Sequence, residues 1–203
     1  MPRILPPASP NRNSSQANRA KGNQLRIIGG QWRSRRIPIA DVAGLRPTPD
    51  RVRETLFNWL QTVIAGARCL DLFAGSGALG FEALSREAAS VVFVEQDGRA
   101  FKQLQANVLT LGASQAQLVQ ADAFVYLQRE MAGFDVIFLD PPFRYALPEK
   151  ALDQLTEQQL IKPAAFIYLE HEAEYALDFS KWGLEIHRQT KAGQVMSFLL
   201  KKV

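Results

Sequence analysis

Residues 69–80 read Cys-Leu-Asp-Leu-Phe-Ala-Gly-Ser-Gly-Ala-Leu-Gly. An apolar run reaches Asp71, and glycines at 75, 77 and 80 follow where the pattern turns helical. Glycine permits a tight turn and lets a ligand approach backbone N–H groups at a helix start. On both sides the same alternation continues. Apolar runs at 90–95, 116–120, 134–140 and 164–170 predict strands after the one at 69–73. Helical spacing is found at 49–64, 76–87, 97–111, 122–130 and 148–160. Repeated strand and helix units predict an α/β fold with a parallel sheet covered on both faces. The stretches 184–190 and 194–200, joined through Lys191-Ala192-Gly193, read as an antiparallel hairpin at the sheet edge.

The 203 residues suit one ordinary domain, with 47% hydrophobic and 22% charged residues. A single cysteine, Cys69, and two histidines leave no disulfide framework and no Cys/His zinc site. No metal is therefore expected, and because no apolar run has the length of a membrane span and no secretory pattern opens the chain, a soluble, cytoplasmic protein is expected. Residues 1–22, rich in Pro, Ser, Asn and Arg, predict a disordered tail. Their arginines also suit a transit peptide, but Ile4 and Leu5 are too few to make an amphipathic helix. Residues 23–47 read as a small basic hairpin turning at Gly29-Gly30, and residues 48–203 as the main domain. Charge is uneven: residues 1–55 carry eleven Lys/Arg against three Asp/Glu, a net +8, while the remainder is net negative. The basic end is the expected contact with a polyanion. Within it, Trp32 beside Arg33, Arg35 and Arg36 reads either as a surface that stacks on RNA or as a packed residue in a solvated segment.

Ligands of open α/β sheets bind beyond the carboxyl ends of the strands. Gly75, Gly77 and Gly80 match a dinucleotide fingerprint, with Glu95 where a ribose-binding acid belongs. Charge separates the candidate cofactors. Asp71, Glu95 and Asp140 end three strands and Asp122 follows another, a setting that repels pyrophosphate and attracts the cationic sulfonium of S-adenosylmethionine. Asp122 also reads as a helix N-cap, and Asp97 is assigned to capping outright. Thr48-Pro49 reads as a helix start. His171, His187 and Cys69 have no partners at catalytic spacing.

Asp140-Pro141-Pro142-Phe143 is the most specific stretch. Successive prolines hold the preceding residues extended and aim their oxygens. The Asp140 carboxylate and the Pro141 carbonyl can bind both hydrogens of an exocyclic base amine, and Phe143 offers a face for a flipped base. A loop-initiating Asp-Pro with a core Phe is the plain alternative.

LRIIGGQWRSRRI, LRPTPDRVRETLFNWL, DLFAGSGALGFEALSREA, VEQD and DPPF, in this order, resemble the bacterial small-subunit ribosomal RNA guanine-N2 methyltransferase family over about residues 25–203. The resemblance implies a Rossmann-like class I methyltransferase fold. Its sheet would have seven mostly parallel strands, with helices on both faces and a C-terminal antiparallel hairpin. It also implies S-adenosylmethionine as donor and a guanine amine in ribosomal RNA, or in the assembling small subunit, as acceptor. Asp71, Phe73, Gly75, Gly77, Glu95, Asp122 and Thr48 would hold the cofactor, and Asp140, Pro141 and Phe143 would address the base. Arg46-Pro47-Thr48 would close over the site, with Arg46 joining Trp32, Arg33, Arg35 and Arg36 on RNA. A monomer is expected. The rival readings are an adenine-N6 methyltransferase, an NAD-dependent oxidoreductase and a non-catalytic RNA-binding module.

Overall fold

The computed structural model describes residues 24–45, 47–142 and 147–203. The expected tail, Arg46 and Phe143 lie outside the described residues. Strand β1 (Gln24–Arg26) pairs antiparallel with β2 (Arg36–Pro38), and a 3-10 turn at Gly30–Trp32 lies between them. Helix α1 (Asp50–Trp59) leads to the main sheet. That sheet contains β3 (Arg68–Asp71), β4 (Ser90–Glu95), β5 (Ala116–Gln120), β6 (Phe134–Leu139), β7 (Ile161–Glu172), β8 (Leu184–Ala192) and β9 (Val195–Lys202). Their order is β5-β4-β3-β6-β7-β9-β8. The first five are mutually parallel, β9 is antiparallel to β7, and β8 is antiparallel to β9. Register slips between Ile186 and Arg188 on β8, so the outermost strand carries a bulge.

Strand residues alternate between two cores. Val136 and Phe138 of β6 join a core with Phe57, Phe81 and Phe93 under α1, α2 (Ala78–Ser85) and α3 (Gly98–Leu111). Ile137 and Leu139 face the other, with Leu127 of α4 (Ala123–Leu127) and Leu152 of α5 (Leu147–Glu157). The chain passes from β3 outward to β5 and returns to β6, so the order reverses beside β3. That is the switch point at which α/β sheets bind ligands. Among the described residues no helix is long and apolar enough to cross a membrane.

Two features of the helices have clear causes. Helix α2 is buried on every side, because the β1–β2 hairpin covers the face that would otherwise meet water. Gly30, at φ +73°, makes this possible: a Cβ there would lie 1.7 Å from the Ser85 carbonyl oxygen. Helix α4 ends at Leu127, short of the expected 130, where the Glu130 carboxylate accepts the N–H groups of Met131 and Ala132 and folds the chain into a turn.

Candidate active site

Asp71 is 3% exposed at the end of β3 and accepts the Gly80 N–H at 3.0 Å, which fixes the start of α2 beneath the glycine turn. Burial pushes this carboxyl up to about 7, and the charges of Asp140 and Glu95 push the same way. Gly75 and Gly77 sit at φ +52° and +75°. A Cβ on Gly77 would meet the Phe81 ring at 2.6 Å, so the turn tolerates only glycine there. Glu95, at the end of β4, accepts from Gly75 N through one oxygen and from Asp97 N through the other, both at 2.7 Å. It clamps the two strand-end loops together.

Phe73 is half-buried and packs edge-on against Phe124, with ring centroids 6.3 Å apart. Asp122 caps α4 through Oδ1, bound by Phe124 N and Val125 N, and stays exposed at the rim. Asp97 caps α3 in the same way. The helix start read at Thr48-Pro49 falls at Asp50, and the Thr48 side chain does not cap it. The hydroxyl instead donates to Asp140 Oδ2 at 3.1 Å, bridging the segment before α1 to the end of β6. Burial raises the Asp140 carboxyl above the usual range, and this hydrogen bond partly offsets the rise. Pro141 is buried and Pro142 exposed.

Among the described residues none of Asp71, Glu95 and Asp140 pairs with a protein cation. Crowded acids without counter-charge beside a glycine turn fit a cationic ligand with hydroxyl and amino donors, and S-adenosylmethionine has that chemistry. No group of three or more His, Cys, Asp or Glu among the described residues could hold a metal ion.

The basic residues are divided. Arg33 and Arg36 are exposed, whereas the Arg35 guanidinium donates to the Thr110 carbonyl at the end of α3. Trp32 is 8% exposed and its backbone N–H donates to Ser85 Oγ, so the indole belongs to the core and offers no stacking surface. Two residues that hold the hairpin were missed. The Glu82 carboxylate, fully buried in α2, accepts Ile28 N and Gly29 N at 2.8 Å and Arg86 Nε at 2.9 Å. Arg53, also fully buried, lies 3.6 Å from Glu82 and donates to the carbonyls of Arg26 and Thr48. A lone acid among the apolar residues of ALGFEALS was the available signal.

The sheet order, the glycine turn and the acid rim define a class I, S-adenosylmethionine-dependent methyltransferase. The chain belongs to the family described as conserved hypothetical protein 95, whose profile spans residues 25–201. Ribosomal RNA small subunit methyltransferase D of Escherichia coli strain K12 is 47% identical over 178 residues, covering 88% of this chain and 90% of that protein. A solved Escherichia coli chain whose name proposes a methyltransferase superposes with a TM-score of 0.83 at 44% identity, over 89% of this chain and 98% of that one. An RNA methyltransferase from Salinibacter ruber, solved with S-adenosyl-L-homocysteine, shares the fold: its TM-score is 0.61 at 19% identity, over 77% and 93% of the two chains.

Proposed function

We propose that the enzyme methylates the exocyclic N2 amine of a guanine in small-subunit ribosomal RNA, free or in the assembling subunit. The observation that carries the reading is the Asp140 carboxylate, held by Thr48 at the switch point and followed by the fixed Pro141. The names of the relatives supply the RNA class. When bound, S-adenosylmethionine supplies an electrophilic methyl group. Asp71, Gly75, Gly77, Glu95 and Asp122, with Phe73 as a wall, would hold it.

An exocyclic amine is a poor nucleophile because its lone pair is delocalised into the ring. Asp140 and the Pro141 carbonyl each accept one N–H, localising that lone pair and aligning it. Phe143 would stack on the flipped base. Positioning of this kind can remove ~7–11 kcal/mol from a barrier. Incubation with methyl-labelled S-adenosylmethionine and separate pools of ribosomal RNA, small subunits and DNA should label N2-methylguanine in the ribosomal material alone. Label in DNA adenine would replace this reading.

Arg33 and Arg36, with Arg46, are the proposed phosphate contacts, and Arg35 spends part of its donor capacity on α3. Neutralising Arg33, Arg35 and Arg36 together should weaken RNA binding and flatten its log–log salt dependence by about two to three charges, with cofactor affinity unchanged. An unaltered slope in a filter-binding titration would move the RNA surface elsewhere.

A further inference from the structure

Behind Asp140 lies a buried acid that the mechanism above does not use. Leu139 on β6 is in register with Leu169 on β7, so Asp140 and Glu170 are the next residues on adjacent parallel strands and share one face of the sheet. Glu170 is 9% exposed, and the Tyr168 hydroxyl donates to its Oε1. Tyr168 is 1% exposed and is also hydrogen-bonded to Ser197, the β9 residue in register with Glu170.

We propose that Glu170 is a positioning residue for methyl transfer, acting through Asp140: the two carboxyl groups form a pair that takes up the proton shed by the amine. This rests on the methyl transfer proposed above. As the amine nitrogen commits its lone pair to the new N–C bond, the C–S electron pair stays on sulfur and one N–H proton must leave. Asp140 is the acceptor already bonded to that hydrogen. A lone exposed carboxylate is a weak base at neutral pH, and general bases work best when their proton affinity is near that of the medium. Two neighbouring carboxylates bind a single proton more tightly than either does alone.

The surroundings favour this. Burial raises both groups, and the charge of Asp140 raises Glu170 further. The titratable groups that interact with the pair are Tyr168 from β7 and Asp71 from β3, with the Thr48 hydroxyl on Asp140 and the Ser197 hydroxyl on Tyr168. Arg53 is engaged by Asp50, Glu82 and two backbone carbonyls. Among the described residues no cation pairs with Asp140 or Glu170, so nothing stabilises the doubly ionised state except the hydroxyls of Thr48 and Tyr168.

The test is the pH dependence of kcat for the full-length enzyme. In Glu170→Gln the acid limb should move down on the order of one pH unit, because a lone Asp140 gives up its proton more readily. The plateau should fall several-fold, with KM for S-adenosylmethionine unchanged. Glu170→Asp keeps the charge and should keep the limb near its wild-type position. An unmoved limb in Glu170→Gln, whatever the plateau, would overturn the proposal and leave Glu170 a structural residue. A carbon-13 NMR titration of the wild-type side-chain carboxyls needs neither substrate nor variant. It should show two coupled titrations well above the usual carboxylate range, and independent titration near 4 would overturn the pairing. A wild type that methylates no nucleic acid would overturn the functional reading itself, an outcome the NMR experiment separates from failure of the pair.

Discussion

Asp140→Ala should lower kcat by roughly 100- to 1,000-fold while S-adenosylmethionine binds with nearly unchanged affinity, because the lost contacts are made to the reacting amine in the transition state. The fold should not suffer. In the folded protein the Asp140 carboxyl is raised above its unfolded value, so its contribution to stability is present below the unfolded pKa and lost as pH rises through the folded one. At neutral pH the charged group is therefore a burden on folding, and the alanine variant should melt at or above the wild-type temperature. Isothermal calorimetry, single-turnover methyl transfer and thermal denaturation at pH 7 measure the three parts. Near-normal turnover would remove Asp140 from the mechanism.

Glu82→Ala should give the largest loss of stability. Its carboxylate takes two backbone N–H groups of the hairpin, the Arg86 side chain and the ion pair with Arg53, and neither Glu82 nor Arg53 reaches water. Removing Glu82 leaves buried Arg53 with the half-exposed Asp50 as its remaining acid and strips two hairpin N–H groups of their acceptor, and breaking a buried pair in this way costs about 3–5 kcal/mol. For a domain of this size that corresponds to a fall in Tm on the order of 10 °C. The hairpin should also loosen, so RNA affinity should drop more than cofactor affinity. A variant melting within about 2 °C of wild type would show that Glu82 does not anchor the hairpin.

Much of this architecture was readable in the chain. Apolar runs bounded by Asp71, Glu95 and Asp140 located three strand ends, because buried parallel strands need continuous apolar sequence and loops carry the chemistry. Asp97 was legible as a cap because capping is local. Partners distant in sequence were not legible. Thr48 has the form of a cap, yet its hydroxyl bonds Asp140, 92 positions on. Trp32 among arginines has the look of a nucleic-acid contact, but the void between hairpin and α2 had to be filled and the indole fills it. Glu170 sits in an apolar strand as an ordinary terminal acid, and only the pairing of β6 with β7 brings it beside Asp140.

The slipped register on β8 has a bearing on how the molecule behaves in a crowded solution. β8 is one margin of the sheet, where unpaired backbone groups could template a strand from another copy and seed aggregates. Glu185, Arg188 and Lys191 are exposed along it, and the bulge between Ile186 and Arg188 breaks the regular row of donors and acceptors that an incoming strand would need. The opposite margin, β5, has only five residues, with exposed glutamines at 117 and 120. Both margins are thus poor templates, and the sheet resists growing by strand addition at either side.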